Sequence, residues 1–247
     1  MTLSIENLTD RDIAKTIDHS LLKPELDDAF VRAGCELAAA YDVASVCVRP
    51  ADVIRAGAIL AGTDVRVGTT IGFPHGNHRT DTKVFEARAA LSDGATELDM
   101  VLMIGALKSG RDAEVQADIA AVVQVAHDAG AIVKVIFENA YLTDDEKIRA
   151  CHLTEAAGGD FVKTSTGFAP SGATIDDLRL MRANTGPHVR VKAAGGVRTL
   201  DALLEVMNLG VTRVGATTTS TILDDFQARK AGAGTTATAG SAVGGGY

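Results

Sequence analysis

Two lysines lie in short apolar segments of the C-terminal third, each just before a glycine-rich turn. Lys163 lies in the segment Phe161–Gly167 and Lys192 in the segment Val191–Arg198. A lysine among apolar residues is costly to bury as a charge, so either a carboxylate pairs with it or it is neutral. Two such lysines on successive strands are expected to lower each other's pKa.

A lysine acts as a nucleophile at neutral pH only if its pKa is lowered, because a free lysine with a pKa of about 10.4 is less than about 0.1% neutral at pH 7. Lowering the pKa by about 3 units corresponds to roughly 4 kcal/mol, which a desolvated pocket and one neighbouring cation can supply. The neutral amine can then form a Schiff base with a carbonyl substrate. For either lysine taken alone, an ion pair with a carboxylate on an adjacent strand is the alternative.

Three other polar residues interrupt predicted strands. Asp99 and Asp18 each lie within an apolar run, and a carboxylate beside two lysines can orient one of them and transfer protons through a water molecule. A structural ion pair is the alternative, more so for Asp18 than for Asp99. Cys47 near a strand end is a further candidate, although a buried free cysteine is commonly a small apolar residue.

Alternating strands and helices must position these residues. Short runs rich in β-branched residues predict eight strands: one near Thr16–His19, then Ser45–Val48, Arg66–Ile71, Glu97–Val101, Ile132–Phe137, Asp160–Lys163, Val189–Lys192 and Thr212–Gly215. The segments between them show helical periodicity, and many end at glycine. Eight such units in about 250 residues predict an α/β fold, a single closed (β/α)8 (TIM) barrel. The rival, an open doubly wound sheet, would favour a glycine fingerprint after its first strand, and none follows an early strand here.

Equal spacing along the chain supports a repeated βα unit. Lys134, Lys163 and Lys192 follow one another at intervals of 29 residues, and each follows a valine. This spacing predicts equivalent positions on three successive units. Lys134 nevertheless comes early in its strand, so we expect it lower in the barrel and paired with a carboxylate.

Glycine turns after the late strands predict a phosphate site. In closed barrels the ligand binds at the C-terminal ends of the strands, and the turns after strands seven and eight often hold phosphate. The candidate substrate-binding residues there are Thr166, Gly167, Gly195, Gly196, Gly215 and Thr217. We therefore expect a phosphorylated substrate.

Composition excludes several classes of partner and cofactor. Twenty-four basic against 32 acidic residues give a net charge of −8, which argues against nucleic acid or an anionic membrane as the partner. No apolar run approaches the roughly 18 residues of a membrane span, and residues 1–6 do not resemble a signal peptide, so we expect a cytoplasmic protein. His75 and His78 have no clear third ligand, and no metal or other cofactor is predicted.

Domain organisation is simple. Residues 1–230 are expected to form one barrel domain, because the chain is too short for two comfortable enzyme domains. Residues 231–247 are rich in Gly, Ala and Thr and predict a flexible tail that ends in Tyr247.

From about Lys15 to Asp225 the chain resembles the deoxyribose-phosphate aldolases, which are class I, Schiff-base aldolases. The segments that carry the resemblance are Thr16–His19, Ser45–Pro50, Phe73–Gly76, Glu97–Val101, Phe161–Phe168, Val191–Arg198 and the terminal Tyr247. The resemblance implies a (β/α)8 barrel, no cofactor, and reversible cleavage of 2-deoxy-D-ribose 5-phosphate to acetaldehyde and D-glyceraldehyde 3-phosphate. It also implies a homodimer.

The resemblance assigns a role to several residues. Lys163 would form the imine, Lys192 would lower the pKa of Lys163, and Asp99 would donate or accept a proton. The glycine turns would hold the phosphate, and Tyr247 would assist proton exchange. Some family members carry a lysine where this chain has Phe168, which implies that phosphate binding here depends more on backbone amides. The rival functions are a phosphosugar isomerase or another Schiff-base lyase, and a noncatalytic sugar-phosphate binder.

Overall fold

The computed structural model of the protein describes residues 3–232, and its centre is a closed barrel of eight parallel strands arranged in chain order. The strands are β1 (Ile17–Leu21), β2 (Ser45–Val48), β3 (Arg66–Ile71), β4 (Glu97–Val101), β5 (Ile132–Ile136), β6 (Phe161–Lys163), β7 (Arg190–Ala194) and β8 (Val211–Ala216). Strand β8 pairs with β1, which closes the sheet. The predicted (β/α)8 barrel is confirmed, and the observed strands overlap the eight predicted ones.

Helices alternate with the strands along the chain. They are α1 (Asp10–Ala14), α2 (Asp28–Ala40), α3 (Val53–Ile59), α4 (Thr80–Ser92), α5 (Ile104–Lys108), α6 (Asp112–Asp128), α7 (Asp144–Ala156), α8 (Ile175–Ala183), α9 (Leu200–Asn208) and α10 (Thr219–Lys230). Short 3-10 turns at Ile5–Asn7, Pro50–Asp52 and Asn139–Tyr141 complete the described elements. Within residues 3–232 no helix has the length and apolar character needed to cross a membrane.

The strands are buried on both faces. Every residue of β1 and β4 is buried. One face of a parallel barrel strand packs against the surrounding helices, whereas the other faces the barrel interior, so continuous burial is expected. A charged residue in such a strand that points inward must therefore find its partners inside the barrel.

Helix ends follow the local signals in the sequence. Gly94, Gly130, Gly158 and Gly210 each come directly after the C-cap residue of a helix and have positive φ angles of 104°, 72°, 81° and 86°. Glycine adopts this left-handed conformation without a steric penalty. At the start of α7, Thr143 and Glu146 form the predicted capping box.

The predicted C-terminal tail falls mostly outside the described residues. Ala231 and Gly232 continue from α10 as a turn. Residues 233–247, including Tyr247, are not described, so the predicted role of Tyr247 stays a prediction.

Candidate active site

Strand register brings the two predicted lysines side by side. Lys163 is the last residue of β6 and pairs in register with Lys192 of β7. Their amines share one carboxylate oxygen, because Asp99 Oδ2 lies 2.7 Å from Lys163 Nζ and 2.8 Å from Lys192 Nζ. All three side chains are buried. The three predicted catalytic residues are therefore brought into one contact group.

Asp18 joins this group from β1. Its Oδ2 atom lies 2.6 Å from Lys192 Nζ and 3.2 Å from Lys134 Nζ. Its Oδ1 atom accepts hydrogen bonds from Ser45 Oγ at 2.7 Å and from Arg213 Nη1. Asp18 thus has three cationic partners, as expected if its role is to form structural ion pairs.

Lys134 lies one layer below the paired lysines. It pairs in register with Phe161, two residues before Lys163, so its equal spacing along the chain does not mark an equivalent position. That prediction is wrong, because strand β6 is displaced in register relative to β5. The prediction that Lys134 is paired and lower in the barrel is confirmed: its Nζ lies 2.6 Å from Glu97 Oε2 and 2.9 Å from Asp99 Oδ1.

Arg213 and Glu97 belong to the same buried ionic cluster as these lysines and aspartates, and neither was identified from the sequence. Arg213 of β8 donates two hydrogen bonds to Glu97, from Nη1 to Oε2 at 3.0 Å and from Nη2 to Oε1 at 2.9 Å, and also pairs with Asp18. Both residues stand in apolar strands, the same signal that identified the lysines. Applied to every strand, that signal would have found them.

The cluster contains more basic side chains than acidic ones. Its carboxylates are Asp18, Glu97 and Asp99, and its cationic side chains are Lys134, Lys163, Lys192 and Arg213. Three carboxylates match three cations, so the cluster is formally neutral when one of the four basic groups is uncharged.

Lys163 is the basic group of the cluster whose pKa is lowered. Burial is the main cause, and the neighbouring charge of Lys192 acts in the same direction, against the attraction of Asp99. Burial also disfavours the charge on Lys192, but the carboxylates of Asp18 and Asp99 outweigh it and raise the pKa of Lys192. The expectation that each lysine lowers the pKa of the other is therefore wrong for Lys192, because Asp18 supplies it with a second carboxylate.

Cys47 lies on β2, in register with Ser20 on one side and Gly68 on the other. It is buried and free of any disulfide. Burial, assisted by the charge of Asp99, raises the pKa of its thiol to about 11. The thiol is therefore protonated at neutral pH, so it is a poor nucleophile.

The predicted phosphate-binding residues divide into two groups. Gly195, Gly196, Gly215 and Thr217 line a cavity of about 620 Å³ at the ends of β7, β8 and β1. The Lys192 side chain lies directly behind Gly215, since a Cβ atom built on that glycine would be 3.7 Å from Lys192 Cε. Gly215 therefore separates this cavity from Lys192, and Lys163, Lys192 and Asp99 are not among the residues that line it.

Thr166 and Gly167 are not among the residues that line this cavity. The backbone N–H of Thr166 donates to Glu138 Oε1 at 3.2 Å, and its hydroxyl donates to Glu138 Oε2. Glu138 follows β5 in a left-handed conformation with φ 58°, and burial raises its pKa. No local pattern in the sequence indicates this pairing, because Glu138 and Thr166 are 28 positions apart.

His75 and His78 lie on the loop after β3, where they line a separate cavity of about 280 Å³. Within the part of the chain that the structure describes, no three His, Cys, Asp or Glu side chains are grouped to hold a metal ion.

The sequence is similar to a family of aldolases. The profile described as "DeoC/LacD family aldolase" matches residues 12–228. A deoxyribose-phosphate aldolase from Rhodopirellula baltica is 52% identical over 214 residues, covering 87% of this chain and 89% of the relative. One from Thermococcus gammatolerans is also 52% identical, covering 83% and 92%.

Solved structures agree in fold. A putative deoxyribose-phosphate aldolase from Coccidioides immitis superposes with a TM-score of 0.85 at 41% identity, covering 89% of this chain and 87% of that one. A deoxyribose phosphate aldolase from Aeropyrum pernix, described as tetrameric, gives 0.83 at 28% identity, covering 90% and 93%. The homodimer expected for this chain stays a prediction.

Proposed function

The chain belongs to the DeoC/LacD family of aldolases, and from that premise we propose that it cleaves 2-deoxy-D-ribose 5-phosphate reversibly to acetaldehyde and D-glyceraldehyde 3-phosphate through an imine on Lys163. The observation that carries this proposal is the placement of two buried lysines side by side, with Lys163 Nζ and Lys192 Nζ 2.7 and 2.8 Å from the same oxygen of Asp99. Burial and the charge of Lys192 lower the pKa of Lys163 in this arrangement. An uncharged amine is the form that attacks an aldehyde.

Imine formation begins when the Lys163 amine adds to C1 of the open-chain sugar. The hydroxyl of the resulting carbinolamine takes up a proton from solvent and leaves as water, which gives a protonated imine that can accept an electron pair from the neighbouring bond. Lys192 assists by staying protonated, because its charge disfavours a second charge on Lys163. Asp18 keeps Lys192 charged, and Lys134 and Arg213 keep Asp18 ionised.

Carbon–carbon cleavage follows when the proton of the C3 hydroxyl is removed. The C2–C3 bond breaks, its electron pair enters the imine to give an enamine, and D-glyceraldehyde 3-phosphate leaves. Protonation of the enamine at C2 and addition of water then release acetaldehyde and free the lysine. Asp99 accepts a hydrogen bond from the amine at 2.7 Å, and we assign the proton transfers to it, acting through a water molecule.

Phosphate binding is assigned to the cavity beside Gly215. Gly195 and Gly196 have positive φ angles of 76° and 96° and bring bare backbone to the cavity wall. Helix α10 begins just beyond it, and its N-cap residue Thr218 makes no side-chain capping hydrogen bond. The first N–H groups of such a helix favour an anion. We place the phosphate near Gly215 and Thr217 rather than at Thr166, whose donors are engaged by Glu138.

Borohydride trapping tests the imine. The protein is incubated with acetaldehyde and borohydride, and the modified residue is identified by mass spectrometry of peptides. We expect an ethyl group on Lys163, and we expect Lys163→Leu to abolish both trapping and aldol cleavage while the far-UV circular dichroism is retained. Lys108→Leu, which removes an exposed lysine after β4, serves as the matched control and should trap as the unaltered protein does.

An adduct confined to surface lysines, or none at all, would overturn the aldolase mechanism. Without trapping, isomerisation of the phosphosugar would favour a phosphosugar isomerase, and phosphosugar binding without turnover would favour a noncatalytic binder. Trapping at Lys163 without cleavage of 2-deoxyribose 5-phosphate would leave a different Schiff-base lyase.

A further inference from the structure

The cavity beside Gly215 is lined by two groups of residues of different character. One group is the glycine turns after β7 and β8, with Gly195, Gly196 and Gly215. The other comes from the segment between β1 and α2 and from α2 itself, where Leu22, Leu26 and Phe30 are apolar. A phosphate held at the glycine turns therefore shares the cavity with side chains of a segment to which no role has yet been assigned.

Charge at this cavity must be supplied locally. A phosphate monoester carries close to two negative charges near pH 7, whereas the chain has a net charge of −8. Lys23 and Arg198 are the lysine and arginine side chains that line the cavity, and Glu25 lines it as an acid. His19 also lines it, but burial lowers its pKa to about 4, so it is uncharged at neutral pH.

Lys23 has a fixed backbone and a loosely held ammonium group. Arg49 Nη1 donates to the carbonyl oxygens of Lys23 at 3.2 Å and of Pro24 at 3.0 Å, and Asp52 holds Arg49 in turn at 2.7 Å. The Lys23 side chain is 48% exposed, and its contact with Glu25 Oε1 is 4.0 Å long. The backbone of Lys23 is thus held in place by Arg49, whereas its ammonium group is only weakly paired with Glu25.

Other lysines of this protein are paired much more closely. The ion-pair distances are 2.7 Å for Lys15 with Asp42, 2.6 Å for Lys83 with Asp118, and 2.6 Å for Lys147 with Asp177. An anion in the cavity can therefore compete with Glu25 for Lys23, whereas those lysines are already neutralised.

The loop after β6 contributes an aromatic ring instead of a cation. Phe168 follows Gly167 and packs edge-to-face on Phe73, with ring centroids 5.3 Å apart. The residue after Gly167 therefore supplies no cation, and the basic side chains that line the cavity are Lys23 of the β1–α2 segment and Arg198 after β7.

We propose that Lys23 is a specificity-determining residue whose ammonium group binds the phosphate of the substrate in the cavity that it shares with the glycine turns. The proposal rests on the proposed aldolase function and deepens it. It makes the preference for phosphorylated over plain aldehydes depend on the β1–α2 segment, far from the reactive amine in sequence.

Steady-state kinetics with two substrates test this role. Cleavage of 2-deoxyribose 5-phosphate and of 2-deoxyribose is measured for the unaltered protein and for Lys23→Met, which keeps the length and removes the charge. We expect KM for the phosphorylated sugar to rise about 10- to 100-fold, as for loss of one charged hydrogen bond. The values of kcat, and of kcat/KM for 2-deoxyribose, should stay within about twofold, because that sugar has no charge for Lys23 to bind.

Two further variants sharpen the result. Lys23→Arg keeps the positive charge and should restore most of the affinity for the phosphorylated sugar. Lys108→Met removes an exposed lysine after β4, on another side of the barrel mouth, and should change neither KM. Added salt should raise KM for the phosphorylated sugar in the unaltered protein more than in Lys23→Met.

The outcomes separate this proposal from the function on which it rests. An unchanged KM for the phosphorylated sugar in Lys23→Met, or an equal loss with both sugars, would overturn the role of Lys23 and leave the aldolase intact. Failure of the unaltered protein to cleave either sugar would instead overturn the aldolase function.

Discussion

At the scale of single residues, two chemically identical amines are given opposite properties by their carboxylates. Lys163 contacts Asp99, whereas Lys192 contacts both Asp99 and Asp18. Burial disfavours the charge on both amines, and the second carboxylate decides which lysine keeps its proton. The proposed division of roles between the two lysines thus depends on Asp18, which contacts the Lys192 amine.

The pH dependence of cleavage should report this division. The pKa of Lys163 is lowered, and its protonated form is inactive, so kcat/KM falls as the pH drops through that pKa. Lys192→Met removes the neighbouring charge but leaves Asp99, so the pKa of Lys163 should rise. We expect the acid limb of kcat/KM to move to higher pH, measured with 2-deoxyribose between about pH 5 and pH 10.

Using the unphosphorylated sugar keeps phosphate ionisation out of the profile. Lys192→Arg, which retains a positive charge, is the control and should shift the limb less. A limb that stays in place or moves to lower pH in Lys192→Met would contradict the assignment, provided that circular dichroism finds the variant folded.

At the scale of elements, the loop between β6 and α8 rests on the turn after β7. The N–H of Ala173 donates to the carbonyl oxygens of Ala194 and Gly195, each at 3.0 Å. Gly172 approaches so closely that a Cβ atom there would lie 2.4 Å from the Gly195 oxygen. This contact holds the glycine turn that we assign to the phosphate.

Gly172→Ala should therefore disturb phosphate binding from outside the cavity. The added methyl group must push the backbone of Gly195 away, because a backbone atom cannot swing aside as a flexible side chain does. We expect KM for 2-deoxyribose 5-phosphate to rise about 10-fold or more, with a smaller change for 2-deoxyribose. Gly57→Ala in α3, where the new methyl group meets nothing within 4 Å, is the matched control. Equal kinetics for both variants would argue against this role of the loop.

At the scale of the whole molecule, one buried ionic cluster joins six of the eight strands. It takes Asp18 from β1, Glu97 and Asp99 from β4, and one basic residue from each of the four strands β5 to β8. Burial raises the pKa values of such carboxylates, but the surrounding cations outweigh it and lower the pKa of all three. The barrel is therefore stabilised by groups that must stay ionised.

Acid should weaken this contribution. A carboxyl whose pKa is lowered in the folded protein stabilises it above the unfolded pKa, about 4.3 for Glu97, and the stabilisation is lost as the pH falls through the folded pKa. Arg213→Met leaves Glu97 without its paired arginine and should lower the free energy of unfolding by about 3 to 5 kcal/mol at pH 7. The difference in the free energy of unfolding between Arg213→Met and the unaltered protein should become smaller below about pH 4.

Urea unfolding at several pH values measures this difference. Arg179→Met, which removes an exposed arginine of α8, is the control and should leave the free energy of unfolding nearly unchanged at each pH. A difference between Arg213→Met and the unaltered protein that grows towards acid pH would contradict a cluster of ionised carboxylates.

Much of this protein follows from local sequence. Runs of β-branched residues specified the eight strands, glycines such as Gly94 and Gly210 specified helix ends, and apolar flanks identified Lys163 and Lys192 as buried. These features depend on nearest neighbours along the chain, where conformational preferences and the alternation of faces operate. The fold class and the three residues of the candidate catalytic centre were therefore accessible from the sequence.

Closure of the barrel decided the rest. Whether Lys134 stands level with Lys163 depends on the register between β5 and β6, and the charge state of Lys192 depends on Asp18, which is 174 positions away in the chain. Local pattern fixes which face a side chain occupies, but its height in the barrel and its partners across the interior are set by the stagger of all the strands together. For that reason the sequence identified the lysines, and only the tertiary structure assigned one of them the proton.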